Sequence, residues 1–353
     1  MTMLSRQLQI ISRQSYWAAR TLLAWGLALA AFVGFSVSVP HFASFGNMYS
    51  LIQIFAALAL IATGLGVVML AGEFDLSIVG SFPLAGLIVI RYADGLGLPG
   101  SLLLALLTGI TFGLINGWAV GRLRIPSIAV TVATMMLCTG LGYLVSDNNF
   151  VSMTDYTVSL QLTQPILKIF SLQSLIALAL IAVIIGAVKL TRWGRFLYAT
   201  GGDNKKARAS GLPVTGTVMI AFAVCAGCTA LAGALQGISL ASSTPGSDFD
   251  NLLGAATAVL VGGIALSGGR GSLVGVIGGS FLLSVVASGL GLGGMSASTI
   301  ELVNGAILIG VLACDKPLAR LVRRRAEALV ASDPTPPSGP PSGFKVQIES
   351  ARP

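Results

Sequence analysis

The sequence predicts an all-α protein that crosses a membrane about ten times, and three observations lead to this. Of its 353 residues, 54% are apolar and only 10% are charged, whereas about a quarter of a soluble domain is charged. The apolar residues fall in long uncharged runs, and a membrane-spanning helix takes about 20 residues. The basic residues collect at alternate ends of these runs. A soluble enzyme is therefore excluded.

Ten runs bounded by polar, Pro or Gly clusters are the predicted spans. They cover 22–39, 50–71, 76–92, 101–121, 126–146, 166–188, 214–240, 252–267, 271–290 and 297–314. The first run follows three arginines, but it lacks a convincing small-x-small cleavage site before Pro40, which favours an uncleaved span over a signal peptide. The runs 76–92 and 252–267 are short or glycine-rich, so we expect them to be broken or to cross only in part.

The charges predict the orientation of the chain. With a cytoplasmic amino terminus, 19 of the 21 Lys and Arg residues lie on cytoplasmic segments, and only Arg91 and Lys168 lie on the other face. This pattern places both termini in the cytoplasm. The net charge of +8 then sets topology and meets anionic membrane lipid, so no nucleic acid is needed to explain it. We expect a cytoplasmic segment (1–21), a membrane domain (22–315) and a cytoplasmic tail (316–353), disordered from about 331 because it is Pro/Ser-rich.

The chain carries no recognisable catalytic or cofactor motif. Its four cysteines, Cys138, Cys225, Cys228 and Cys314, lie inside apolar runs, where free Cys behaves as a small buried hydrophobe. The chain has one histidine and no GK[ST] nucleotide loop. We therefore expect neither a bound cofactor, a metal nor an enzymatic activity on this chain.

A polar loop at 189–213 is the only sizeable internal cytoplasmic loop. We expect Gly201, Gly202 and Asp203 to form a turn, with Asp203 capping a short helix. Gly211 ends that helix and Pro213 prevents its continuation. The helix and its end carry Lys206, Ala207, Arg208 and Ser210. Such a helix suits docking of a partner protein; the alternative is a solvated linker whose charges only set topology.

This loop, GRFLYATGGDNKKARASG, resembles the coupling segment of permease subunits of bacterial ATP-binding-cassette sugar importers of the ribose/xylose/arabinose/galactoside type. Three more segments resemble that family in the same order: GEFDLSIVGSFPLAG at 72–86, NGWAVGRLRIPSIAVTVATM at 116–135 and VLVGGIALSGGRGSLVGVIGG at 259–279. Asp203 stands where the family usually has Asn, and Lys206 replaces an Ala, which leaves the seating of this helix on its ATPase open.

The resemblance implies a set of partners and a location. A separate ATP-binding subunit would bind ATP and Mg and grip the helix that ends at Gly211. A periplasmic solute-binding protein would deliver a sugar or sugar-like solute, and a second permease subunit, identical or different, would complete the path. The location implied is the bacterial inner membrane.

Other residues have two interpretations each. Gly109, Gly113, Gly117 and Gly121 form a ridge that favours helix packing over pore lining. Asn116, beside the ridge, either bonds across helices or lines the path. Glu73 and Asp75 are expected at the cytoplasmic junction of spans two and three, where Asp75 caps the amides of Leu76 to Ile78 or, alternatively, the carboxylates carry protons.

Two further groups lie in predicted loops. The segment Gly268, Gly269, Arg270 and Gly271 favours a tight cytoplasmic turn over an anion cradle. Asp248 and Asp250 are expected on the sparse, acidic outer face, where they either meet the binding protein or are simply solvated.

Two other function classes fit the sequence less well. An ion-coupled secondary transporter usually has charged or unwound polar sites near the midplane and repeated halves, which the sequence does not show clearly. An intramembrane enzyme needs paired carboxylates, a Ser/His pair or a zinc motif at membrane depth, and none is present.

Overall fold

The computed structural model describes residues 3–313, with side chains from residue 19 onward. The predicted tail and Cys314 lie outside the described residues. The helices are α1 Met3–Ser38, α2 Phe45–Leu70, α3 Ile78–Trp118, α4 Ser127–Val145, α5 Thr157–Thr163, α6 Leu172–Leu190, α7 Arg192–Gly202, α8 Asn204–Ala209, α9 Val214–Leu240, α10 Phe249–Val261, α11 Leu273–Leu292 and α12 Ala297–Ala313. A π-helical turn, Ala119–Leu123, extends α3. Two strands, β1 Val151–Ser152 and β2 Ser242–Ser243, pair antiparallel, so the chain is not strictly all-α.

Seven stretches of the described helices are long and apolar enough to cross a membrane. They are Ala19–Ser38, Phe45–Leu70, Ile78–Leu123, Ser127–Val145, Leu172–Leu190, Val214–Leu240 and Leu273–Leu292. The difference from ten predicted spans has two causes. The predicted spans 76–92 and 101–121 fall in one stretch, and the predicted spans 252–267 and 297–314 form shorter apolar helices, α10 and α12.

α3 is a helical hairpin. Gly97 interrupts it with φ 68° and ψ 164°, a left-handed φ that favours glycine. Before the break, Phe82 packs on Gly233 of α9, and Gly86 packs on Gly237, so this first arm (78–96) runs parallel to α9. After the break, Gly113 lies against Phe222 and Gly117 against Met219, so the second arm (98–118) runs antiparallel to α9. The two arms therefore correspond to the two spans that the sequence predicts separately.

The glycine ridge packs the second arm against α9. A β-carbon at Gly113 would lie 2.6 Å from the carbonyl oxygen of Phe222, and one at Gly117 would lie 2.5 Å from the Cα of Met219. Gly109 faces Ala230 and Gly121 faces Thr215, so the contact continues along α9 in both directions. Any side chain here would push the helices apart, so the prediction that the ridge serves packing is confirmed.

The core lies around α2, the first arm of α3, α9 and α11. In α2, α9 and α11, 72% of the residues in the most apolar 18-residue segment are buried. In the other spans the corresponding share is 11% to 28%. α4 and α6 present apolar side chains outward, such as Met136, Leu144 and Val183. An apolar exterior is what lipid contact requires.

The chain after α9 turns back into the bundle. Ala241 ends α9 in a left-handed conformation with φ 50°, and the next residues run along the first arm of α3. Ser243 lies against Gly86, and the Asp248 N–H donates to the Val79 carbonyl at 2.9 Å. α10 starts only there, so this part of the chain is extended first and helical afterwards. Within the predicted run 252–267, the helix ends at Val261 and the chain continues as turn and irregular backbone, which agrees with the expectation that this run is broken.

Candidate functional site

The loop 189–213 folds into two helices, α7 and α8. Asp203 separates them in an extended conformation (φ −164°, ψ 98°). Its Oδ1 accepts the Lys206 N–H at 3.0 Å, a hydrogen bond that lowers the pKa of this carboxyl below its usual range. Gly211, with φ 77°, follows the end of α8. The capped helix is therefore present, but Gly201 and Gly202 end α7 instead of forming the expected turn.

α8 has an anchored face and an open face. Ala207 is buried, and Arg208 donates from Nη2 to the Gly121 carbonyl at 2.7 Å and from Nε to Asn204 at 2.9 Å. The residues on the open side are exposed: Lys205, Lys206, Ala209, Ser210 and Gly211. Because one face of α8 is fixed to the protein and the other is exposed, α8 can bind another protein without a prior conformational change.

Backbone contacts between glycines join three segments that are distant in sequence. The Gly269 N–H donates to the Leu70 carbonyl at 2.9 Å. A β-carbon at Gly201 would lie 2.0 Å from that same oxygen, and one at Gly268 would lie 2.3 Å from the Cα of Gly72. The end of α7, the end of α2 and the turn before α11 thus meet without side chains between them. We call this contact the glycine junction (Gly72, Gly201, Gly268, Gly269).

The segment 268–271 forms a tight turn. Gly268, Gly269 and Gly271 have φ values of 76°, 66° and 120°, which glycine adopts readily. The Ala265 N–H donates to the Arg270 carbonyl at 3.1 Å, while the Arg270 side chain is exposed. Because the Gly269 N–H already has a protein partner, it is not free for an anion, and the turn interpretation is the one that the geometry supports.

Glu73 lies just past the glycine junction. It is half-buried beside Ser127, the first residue of α4, and burial raises its pKa, although the Ser127 hydroxyl partly offsets this. The neighbouring Phe74 N–H donates to the Ser127 Oγ at 3.3 Å. This segment therefore ties the end of α2 to the start of α4.

Asp75 lies deeper than the predicted cytoplasmic junction. It is fully buried, and its Oδ1 accepts the Ser77 N–H at 2.9 Å and the Ser77 hydroxyl. Its Oδ2 has no hydrogen-bond partner among the nitrogen and oxygen atoms of the described residues, and the thiol of Cys225 lies beside this carboxyl. The capping role fits the Ser77 amide, but the surroundings are the bundle interior.

Asn116 links the two arms of α3 and α4 through this network. Its Nδ2 donates to the Ser77 Oγ at 3.3 Å, and its Oδ1 accepts the hydroxyl of Thr134 on α4. Asn116 is fully buried. Of its two interpretations, the structure therefore shows cross-helix hydrogen bonding, with every contact made inside the protein.

A cavity of about 570 Å³ lies between the first arm of α3, α9 and the extended chain before α10. Seven of its lining residues are polar: Gln236, Ser242, Ser243, Thr244, Ser247, Asp248 and Asp250. Asp248 caps α10, accepting the Asn251 N–H at 3.2 Å, while Asp250 is exposed. Asp248 contacts Val79 of the first arm of α3. Arg91, which the sequence predicts on the outer face, lies about 18 Å further along that arm at 1.5 Å per residue. This placement moves Asp248 from the expected outer loop to a cavity wall.

A family model matches residues 47–312, and its description is branched-chain amino acid transport system / permease component. The chain belongs to this permease family. It is 30% identical over 261 residues to the L-arabinose transport system permease protein AraH of Escherichia coli, covering 72% of this chain and 78% of that protein. It is 28% identical to the Escherichia coli ribose import permease protein RbsC (73% and 81% covered) and 32% identical to the autoinducer 2 import system permease protein LsrC of an Enterobacter (74% and 76%).

The permease is a multi-pass protein of the bacterial inner membrane. Its matched stretch contains the glycine junction, α8, the Asp75 network and the cavity. Sequence reasoning missed two features, α7 and Gln236. Gln236 is the only Asn or Gln within α9, and a lone amide in an apolar span was the signal that could have singled it out.

Proposed function

We propose that this permease is the membrane-crossing subunit of an ATP-binding-cassette importer, which carries a sugar or sugar-like small polar solute into the cytoplasm. The observation that carries the proposal is α8, a helix anchored by Arg208 and open on its other face. ATP and Mg are assigned to a separate ATP-binding subunit that docks there, because the chain has no nucleotide-binding loop. In this proposal the chain itself is not an enzyme.

The contacts of α7 and α8 supply a route for force. Arg208 ties α8 to the π-helical turn that extends α3, through the Gly121 carbonyl. Gly201 ties α7 to the end of α2 and to the turn before α11 through the glycine junction. A push on α8 is therefore passed through α7 and the glycine junction to the Glu73–Ser77 segment and to the turn between α10 and α11. The backbone contacts of the junction are closely packed and deform little.

The remaining partners and the topology follow the same proposal. A periplasmic solute-binding protein docks outside, and a second permease subunit, the same or different, lies alongside. Ten crossings with both termini in the cytoplasm arise if the two arms of α3 cross separately and α10 and α12 complete the count. A pentose or hexose is the default solute, because two of the relatives are named for arabinose and ribose.

The test is co-purification with the ATP-binding subunit of the same transport system. Ala209→Trp adds bulk to the open face of α8 and should abolish association. Ala297→Trp is the matched control, because Ala297 is also exposed but begins the helix after α11, at the other end of the bundle. Normal association of the Ala209→Trp variant would refute docking at α8.

Ion coupling remains the second candidate, and one observation favours it: Asp75 is a fully buried carboxyl whose Oδ2 accepts no hydrogen bond from a nitrogen or oxygen atom of the described residues. Buried carboxyls in membranes are common in proton relays. Uptake of radiolabelled D-ribose, L-arabinose and D-fructose into proteoliposomes separates the two. ATP-binding-cassette import requires ATP and persists with a protonophore, whereas ion-coupled transport persists without ATP and stops with the protonophore.

A further inference from the structure

We propose that the cavity beside α10 is a solute chamber that admits neutral, hydroxyl-rich solutes and rejects anions, with Asp250 setting this charge selection. The proposal rests on the proposed transport function and assigns the chemical class of what passes.

The cavity lies within a membrane crossing. Gly233, Gln236 and Gly237 line it, and all three belong to the span Val214–Leu240. Opposite them, Phe82 and Pro83 of the first arm of α3 contribute apolar surface. Polar walls and non-helical backbone at this depth are tolerated only where they line a water-filled cavity or face protein. The extended chain from Ser242 to Asp248 is such a backbone.

The lining suits a sugar. Hydroxyl and amide groups both donate and accept hydrogen bonds, as the hydroxyls of a sugar do. The side chains of Gln236, Ser243 and Thr244 make no hydrogen bond to any other described residue, so they are free for a solute. The volume of about 570 Å³ lies within the roughly 300–1,000 Å³ of small-molecule sites.

The charge of the lining has one sign. Its fifteen residues in the described chain include two carboxylates, Asp248 and Asp250, and no Lys, Arg or His. Asp248 is occupied, because both of its oxygens accept hydrogen bonds from Asn251. Asp250 is exposed and makes no hydrogen bond or ion pair within the described residues. Low-dielectric walls strengthen the field of such a charge, so an anion is repelled at the chamber.

Charged thiol reagents measure this field directly. Thr244→Cys places a thiol at an exposed lining position. Both this variant and its blank carry Cys314→Ser, because Cys138, Cys225 and Cys228 are buried and Cys314 lies outside the described residues. With the full chain in proteoliposomes, we expect a cationic methanethiosulfonate to react faster than an anionic one. Adding Asp250→Asn should lower this rate ratio about threefold or more. Adding Glu301→Gln, which removes an exposed charge outside the cavity lining, should not.

Solute protection tests the chemical class. D-ribose should slow labelling of Thr244→Cys, and D-ribose 5-phosphate should not. Equal reaction rates for the two reagents, a ratio unaffected by Asp250→Asn, equal protection by both sugars, or protection by neither would each overturn the proposal. Labelling needs no ATP-binding subunit, so failure of the α8 docking test and failure of this one are separate results.

Discussion

Gly201 and Gly202 are adjacent glycines at the end of α7, yet the structure predicts opposite responses to alanine. A β-carbon at Gly201 would lie 2.0 Å from the Leu70 carbonyl oxygen, about 1.4 Å short of the 3.4 Å at which ordinary contact begins, whereas one at Gly202 meets nothing within 4 Å. The Leu70 oxygen also accepts the Gly269 N–H. Gly201→Ala therefore overpacks the glycine junction, at about 1–3 kcal/mol, and disturbs a hydrogen bond worth about 1 kcal/mol.

Alanine returns up to about 1 kcal/mol through its higher helix propensity, so we expect Gly201→Ala to destabilise the permease by about 1–3 kcal/mol. At roughly 2–4 °C per kcal/mol, the apparent melting temperature in detergent should fall by about 5 °C, and stimulation of the ATP-binding subunit should fall with it. Gly202→Ala should match or slightly exceed wild type. Equal melting temperatures for the two variants would refute the close packing at the glycine junction.

Three further predictions concern the bundle interior. Gly117→Ala should lower the apparent melting temperature, because its β-carbon would lie 2.5 Å from a backbone atom of α9. Gly227→Ala should not, because its β-carbon would lie 3.5 Å from the nearest atom. Equal effects of the two variants would contradict the close packing of the glycine ridge on α9. Asp75→Asn, which keeps an oxygen acceptor for the Ser77 amide, should lose less stability than Asp75→Ala, expected at about 1–3 kcal/mol, by the same melting measurement. Burial raises the folded-state pKa of Glu73, so the contribution of its protonated carboxyl to stability is present below about pH 4 and is lost as pH rises through the raised pKa. Wild type should therefore lose stability relative to Glu73→Gln as pH increases. Melting temperatures that change with pH in parallel for the two proteins would contradict this.

Local sequence predicted the features that depend on neighbouring residues. The apolar runs gave the helices, and the Asp203 cap and Gly211 gave α8, because capping involves groups within a few residues of each other. The four-residue spacing of the glycine ridge predicted a packing face, because one helix fixes which residues share a side. The motif segments also predicted the permease family.

Features that depend on distant contacts were missed or misplaced. Asp75 reads in sequence as a junction residue, but it bonds Ser77, and Asn116 and Thr134 extend that contact into a buried polar network. Asp248 reads as an outer-loop residue, but the chain after α9 turns inward because small residues such as Gly86 leave room beside the first arm of α3. In each case the partner lies tens of residues away, and only packing decides which groups meet.

The sequence by itself determined that the protein is a helical membrane protein, because the long uncharged runs follow from composition and residue order alone. Tertiary structure alone decided that Gly72, Gly201 and Gly268 touch and that Gln236 faces a polar cavity. The physical reason is that close backbone approach and burial are set by three-dimensional packing, and these residues lie on separate elements of the chain.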